Sequence, residues 1–203
     1  MNNLSTTARK LDKVFEITHI VFGALSIACI VGVALIAAAY VLKLDPGMIG
    51  TDYENLDIGF LELQLAEAYA PDKWLVLLQA AITLAVSCRL FYDSRCGVSY
   101  IREILHPMIE EKPFDAVVCT NLKKLAKLSI NLGILYNIIQ LSEQIMTVFV
   151  FDLPGLLISE KIVHISGMFN VDLTFVIYWA ILTLLSYVFR YGQELQQLSD
   201  ETL

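Results

Sequence analysis

Four apolar stretches alternate with polar segments along the chain, and each is long enough, or nearly so, to cross a bilayer. They cover residues 17–42, 74–92, 128–151 and 173–189, and only Arg89 and Glu143 place a charge inside them. A helix needs about 20 apolar residues to span the ~30 Å hydrocarbon core, and such a helix satisfies its own backbone polar groups within lipid. The pattern predicts an all-α polytopic membrane protein with four transmembrane helices in an antiparallel bundle.

Composition supports a membrane protein. Apolar residues make up 57% of the chain and charged residues 17%, against about 45–50% and 25% in an ordinary soluble domain. The polar segments are too short to bury a core of their own. We therefore expect residues 1–203 to form a single membrane domain.

The distribution of Lys and Arg predicts the orientation. Cytoplasmic loops of membrane proteins carry an excess of basic residues. With a cytoplasmic N-terminus, three basic residues lie outside, namely Lys43, Lys73 and Lys161. The other eleven lie inside: Arg9, Lys10, Lys13, Arg89, Arg95, Arg102, Lys112, Lys123, Lys124, Lys127 and Arg190. Both termini are thus predicted in the cytoplasm, with outer loops at residues 43–73 and 152–172. The sequence has no concentrated basic face of the kind that binds nucleic acid, so direct nucleic-acid binding is not expected.

Residues 93–127 connect the second and third stretches and show their own helical pattern. Apolar residues recur at helical spacing over residues 97–110, with Pro107 expected to kink the helix or end it early. Asp115 is a good N-cap for a second helix, and Phe114 is placed to pack back as part of a hydrophobic staple. The pattern favours an antiparallel helical hairpin that extends spans two and three into the cytosol. The alternative is a helix lying flat on the inner leaflet.

The turn of this hairpin is a candidate partner-binding site, formed by Lys112, Pro113, Phe114 and Asp115. It would present one aromatic side chain and a capping carboxylate to the cytosol. The alternative is a helix stop and start that keeps the hairpin in register. After Arg190 we expect one or two more helical turns that fold against the base of the hairpin.

Two motifs resemble a known family. They are Glu-Lys-Pro-Phe-Asp at residues 111–115, followed by Asn-Leu-Lys-Lys-Leu-Ala at 121–126, and a tail with Phe-Arg-Tyr-Gly-Gln-Glu-Leu-Gln at 189–196 and Asp-Glu-Thr-Leu at 200–203. They are similar to the turn and closing motifs of a bacterial family of small four-span membrane proteins catalogued as a domain of unknown function. Its usual turn has Gly where Glu111 stands and Ser where Asp115 stands.

That resemblance implies a bacterial cell membrane (inner or plasma membrane) and a regulatory role. Members of the family are commonly encoded beside short helix-turn-helix regulators. A small cytosolic regulator of this kind is therefore the expected partner. The inference is an analogy, because a shared fold does not establish a shared function.

Polar side chains inside the spans are the second candidate site. Asn137, Gln140 and Gln144 share a narrow face of the third span, Glu143 lies at its edge, and Gln79 lies at a similar level in the second span. A polar group is costly in lipid and needs a partner. This face could serve a proton, a cation or a small ligand in an oligomeric transporter or channel-like protein. Alternatively, its amides and carboxyl join the helices together.

Other chemistry finds little support in the sequence. The three histidines are scattered, no Cys-x-x-Cys occurs, and no HExxH, Ser/His/Asp grouping or glycine-rich phosphate loop appears. We therefore expect no metal site, no cofactor and no enzyme. In the outer loops, the alternation of Leu61 and Leu63 with polar residues predicts a strand, and a small sheet joining both outer loops is an open alternative.

Overall fold

Four long α-helices make up most of the computed structural model of this chain. It describes residues 3–44, 55–58, 61–64, 72–110, 112, 114–146 and 171–201. Within these residues the helices are α1 (Asn3–Val41), α2 (Lys73–Ile109), α3 (Ala116–Ile145) and α4 (Thr174–Glu201). Two short strands, β1 (Asn55–Ile58) and β2 (Leu61–Gln64), lie between α1 and α2.

Three helices are long and apolar enough to cross a membrane: α1, α2 and α4. This confirms the all-α, membrane-type character that the apolar stretches predict. The third predicted span, residues 128–151, begins inside α3, and its residues 147–151 lie outside the described part of the chain. Many large apolar side chains on α1 and α4 are exposed, among them Ile20 and Leu184. Exposed apolar faces of this extent are typical of a surface that meets lipid or another protein.

The chain divides into two compact units. The first unit comprises Met1–Ile27, Cys88–Tyr136 and Asp172–Leu203, and the second comprises Ala28–Ser87 and Asn137–Val171. The first unit has a core of Ile104, Val118 and Leu122. Partly buried side chains pack around this core: Met108, Leu125, Leu182 and Phe189.

In the first unit, α2 and α3 pack antiparallel. Asn131 donates a hydrogen bond to Asp93, and Lys124 lies 5.1 Å from the ring centroid of Tyr100. Farther along, Asn121 donates to Glu103 at 2.8 Å. Residue numbers fall on α3 as they rise on α2, so the two helices run in opposite directions along this contact.

α1 and α4 pack on this pair, also antiparallel to their neighbours. On α1, Asp12 accepts a hydrogen bond from Arg102 at 2.8 Å, and Phe22 stacks on Phe91 of α2 at 6.3 Å. On α4, the backbone carbonyl of Ser186 accepts a hydrogen bond from the Cys119 thiol of α3 at 3.2 Å. α3 therefore contacts α2 and α4 in the first unit.

The second unit contains the sheet and the remaining parts of α1, α2 and α3. Tyr40 and Trp74 meet edge to face at 5.3 Å, and the close approach of Leu84 to Gly32 brings α1 and α2 together. β1 and β2 pair antiparallel, with Asn55 opposite Gln64. The strand predicted from the Leu61 alternation is thus confirmed, and its partner strand belongs to the same outer loop. The corresponding segment of the second outer loop, residues 162–167, lies outside the described residues.

The helix ends match the sequence-based predictions at one position and differ from them at two. Asp115 caps α3, because its carboxylate accepts the backbone N–H of Val117 at 2.8 Å. Pro107 was expected to kink its helix or to end it early; the early end does not occur, since α2 continues to Ile109. Proline at this late position removes only one hydrogen bond from a helix that ends two residues later. The predicted one or two turns after Arg190 are also too few, because α4 continues to Glu201.

Asp172 caps the start of α4 and should make that helix end sensitive to acid. The hydroxyl and the backbone N–H of Thr174 both donate to the Asp172 carboxylate, and these hydrogen bonds lower the pKa of Asp172. A lowered aspartate pKa means that the cap is fully present above the ordinary value of about 3.9 and is lost as the pH falls through the lowered one. Hydrogen exchange in the first turn of α4 should therefore show an acid-induced opening only below about pH 4.

The matched variant is Asp172→Asn. Asparagine also caps helices but does not titrate in this range, so the variant should keep the helix start and lose the acid-induced opening. An unchanged opening in Asp172→Asn would assign the acid sensitivity to another group.

Candidate functional site

An open cleft of about 670 Å³ lies in the first unit where α2 ends and α3 begins. We call it the tip cleft. Its charged lining comes from α1, from the last turns of α2 and from the cap of α3. These side chains are Asp12, Arg102, Glu103, His106, Glu110 and Asp115.

The tip cleft carries an excess of negative charge. Arg102 is paired with Asp12, with 2.8 Å between its Nε and the Asp12 Oδ1. His106 and Glu110 form an i,i+4 pair at 3.5 Å, and both side chains are more than half exposed. Among the described residues that line the cleft, four carboxylates outnumber one arginine, so the excess charge is negative. Such a surface attracts a basic ligand or protein.

Each carboxylate of the cleft has a definite structural position. Glu103 accepts the hydrogen bond from Asn121 and so joins the cleft to the α2–α3 contact. Asp115 is held by its capping bond to the N–H of Val117. Glu110, in the turn that follows α2, pairs with the exposed side chain of His106 on the same segment. Glu110 is therefore the carboxylate that a partner can reach with the least disturbance of the fold.

The predicted turn site is packed against α4. The ring of Phe114 lies against the backbone of Gly192, and its centroid is 6.0 Å from that of Phe189. Phe114 remains 39% exposed. Lys112 is exposed, its backbone N–H donates to the carbonyl of Pro107 at 2.9 Å, and Pro113 lies outside the described residues. The two motifs recognised in the sequence, the turn and the tail, thus contact each other at Phe114 and Gly192.

Sequence reasoning missed a cluster of charged and polar side chains around the buried Asp93, on α2 and α3. Asp93 is 3% exposed and receives Arg89 through two contacts of 3.1 Å and Asn131 through a hydrogen bond. The Arg89 side chain runs along its own helix to Asp93. The i,i+4 spacing of Arg89 and Asp93 was a usable signal. The contribution of Asn131 comes from another helix and has no local signature.

In the second unit, a hydrogen bond joins α2 to the side of α3 opposite the predicted polar face of Asn137, Gln140 and Gln144. Gln79 donates to the hydroxyl of Ser142, the residue before Glu143. Ser142 was not among the predicted residues. Of the predicted face, Glu143 is exposed, and three residues are half-buried: Asn137, Gln140 and Gln144. The bond between Gln79 and Ser142 is the kind of polar contact that joins helices in lipid.

Metal chemistry has no support among the described residues. No group of three or more His, Cys, Asp or Glu side chains there is arranged to hold a metal ion. The four cysteines, Cys29, Cys88, Cys96 and Cys119, form no disulfide with one another.

Substituting Gly192→Ala should destabilise the protein, because a methyl group there would overlap the ring of Phe114. Overpacking of this kind costs about 1–3 kcal/mol of unfolding free energy. In a Phe114→Ala background the overlap is gone, and alanine is favoured over glycine in a helix by about 0.5–1 kcal/mol. The effect of Gly192→Ala should therefore change sign between the two backgrounds, as measured by unfolding in lipid or detergent. Equal effects in both backgrounds would show that the contact has no energetic weight.

No family model matches this chain, and no curated protein or solved structure matches it either. The tip cleft, the Phe114–Gly192 contact and the polar face of the third span therefore supply the observations from which function is inferred.

Proposed function

We propose that this chain is a bacterial regulatory or sensory membrane protein that holds a small, basic cytosolic regulator at the tip cleft. It crosses the inner or plasma membrane four times, with both termini in the cytoplasm. The charge of the tip cleft carries the proposal. The partner class comes from the resemblance of the turn and tail motifs to a family encoded beside helix-turn-helix regulators.

The topology rests on the positions of the basic residues and on the helices. Eleven of the 14 Lys and Arg residues fall on the side assigned to the cytoplasm. α1, α2 and α4 are long and apolar enough to span the bilayer. If both termini are cytoplasmic, the number of spans must be even. The second half of α3 would then supply the fourth crossing.

The contacts of α2 support a cytosolic hairpin over a helix lying flat on the leaflet. Val98 and Leu105, which belong to the apolar stripe of this segment, are buried, and Ile104 packs on Val118 and Leu122 of α3. A helix on the membrane surface would direct this stripe into lipid. Here the apolar stripe of α2 packs against α3, and this packing supports a hairpin of the two helices.

Charge complementarity supports a basic partner. A protein that binds DNA neutralises phosphates with a surface of Lys and Arg. The negative tip cleft is complementary to that surface. A regulator held there by its basic face would be prevented from binding DNA, which gives the membrane protein a direct means of control. Attraction between exposed charges weakens as salt rises, so the complex should be salt-sensitive.

Within the predicted turn site, the residues have different parts in this proposal. Asp115 lines the cleft and contributes charge. Phe114 is packed on Gly192 and holds the turn against α4. Phe114 thus positions the surface, and its exposed edge adds an apolar contact at the margin.

Reversing the charge of Glu110 should release the partner. Glu110→Lys changes the charge of the cleft at a side chain that is 53% exposed, so the fold should persist. The matched control is Glu194→Lys on α4, where the side chain is 55% exposed and also forms an i,i+4 pair, with Arg190. The tagged protein is purified from crosslinked membranes, and the proteins recovered with it are identified by mass spectrometry.

Glu110→Lys should lose a small basic cytosolic protein that the wild type and Glu194→Lys both recover. With the purified partner, the association rate at low salt should fall about tenfold or more. Equal recovery by the two variants would remove the tip cleft as the binding surface.

A small oligomeric transporter or channel-like protein is the second candidate function. The observation that favours it is the polar face itself, because Asn137, Gln140 and Gln144 share one side of α3 and are half-buried. Four spans leave little room for a pathway within one chain, so the pathway would lie within a homo-oligomer.

Glu143→Gln separates the two functions. Under the transport proposal it should reduce cation or proton flux into liposomes that contain the protein, while Glu110→Lys leaves flux unchanged. Under the regulatory proposal, both variants and the wild type should give the flux of empty liposomes. Flux that depends on Glu143 would therefore favour transport.

A further inference from the structure

A second open cleft of the first unit, of about 770 Å³, lies between α2 and α3. We call it the basic cleft. Three cationic side chains line it: Arg89 of α2 and Lys124 and Lys127 of α3. None of the functions considered above uses these lysines.

The basic cleft has a net positive charge. Among the described residues that line it, Asp93 is the one carboxylate, and it is buried and already paired with Arg89 and Asn131. Lys124 and Lys127 are one helical turn apart on an exposed face of α3. Two positive charges therefore remain for a ligand.

Aromatic rings hold two of the cations at the edges of the cleft. The Lys124 ammonium lies 5.1 Å from the ring centroid of Tyr100, and the Arg89 guanidinium lies 5.6 Å from that of Tyr92. Contacts of this kind attract a cation to a ring face within about 6 Å. The charges are thus placed before a ligand arrives, which lowers the entropy cost of binding.

The lining changes from charged to apolar along α3. Beyond the lysines, the cleft continues with Leu128, Ile130 and Ile134. Leu128 is the first residue of the third predicted span, and Arg89 lies near the inner end of the second. Under the topology proposed above, the basic cleft therefore crosses the boundary between the cytosolic hairpin and the apolar spans, at the level of the inner-leaflet headgroups.

We propose that the basic cleft binds the phosphate of an anionic phospholipid. Lys124, Lys127 and the exposed edge of Arg89 contact the phosphate, and an acyl chain lies along Leu128, Ile130 and Ile134. Basic pockets between membrane helices on the cytoplasmic side suit such headgroups. A soluble phosphate compound would share the charged contacts but would leave the apolar half of the cleft unused. The site needs no cytosolic regulator.

The test uses the full-length protein in nanodiscs of neutral phosphatidylcholine with a small fraction of phosphatidylglycerol. Lipids retained on the protein are identified by native mass spectrometry, and affinity is measured with a fluorescent phosphatidylglycerol. The cleft variant is Lys124→Gln with Lys127→Gln. The control is Lys123→Gln with Lys112→Gln, which removes the same charge from exposed positions on the same hairpin that do not line the basic cleft.

The wild type and the control should retain phosphatidylglycerol in preference to phosphatidylcholine, and the cleft variant should lose that preference. Affinity should fall about fivefold for each lysine removed, as expected for single basic residues at an anionic surface. Equal losses in both double variants would show a diffuse charge effect and overturn the site. Equal binding of soluble glycerol phosphate, by protein in purely neutral nanodiscs, would also overturn the assignment to lipid. A thermal unfolding measurement on each variant confirms that the fold is unchanged.

Discussion

The first half of α3 must bury side chains against two other helices at once, and this double contact organises the first unit. Val118 and Asn121 are almost fully buried. Val118 lies in the core with Ile104 of α2. Leu182 and Phe189 of α4 pack against the same core. Because α3 is fixed on both sides, the turn that precedes it is fixed too. The tip cleft and the basic cleft are then two edges of the same α2–α3 pairing.

Small residues and a few polar groups make this packing possible where apolar burial alone contributes little. In lipid, helices associate through close contact at small side chains and through hydrogen bonds between helices. Gly133 receives the ring of Phe175, and Gly192 receives the ring of Phe114. Asn121 and Asn131 each donate from α3 to a carboxylate of α2. The apolar side chains on the outer faces of the helices remain free for lipid.

The sequence predicts the local features well and the contacts between distant residues poorly. Three of the apolar stretches, the cap at Asp115 and the strand at Leu61 follow from periodicity and local chemistry. Phe114 and Gly192 are far apart in the chain, and no local pattern indicates that a ring at one fits the bare backbone of the other. Likewise, the buried Asp93 accepts a hydrogen bond from Asn131 of another helix, and no local pattern indicates this contact. Pro107 shows the opposite case, because proline, a strong local signal for a helix end, is tolerated in the final turn of a helix held by tertiary packing.

We propose that the tip cleft faces the cytosol and holds a basic protein there. The most direct test is site-specific photocrosslinking in living cells, with the reactive residue placed at Val117. This side chain lines the tip cleft and is exposed. A control position is Tyr178, which is exposed on α4 within a predicted span. We expect an adduct between Val117 and a small basic cytosolic protein, and no such adduct from Tyr178. Adducts of Val117 only with lipid, with membrane proteins or with a second copy of the chain would contradict it.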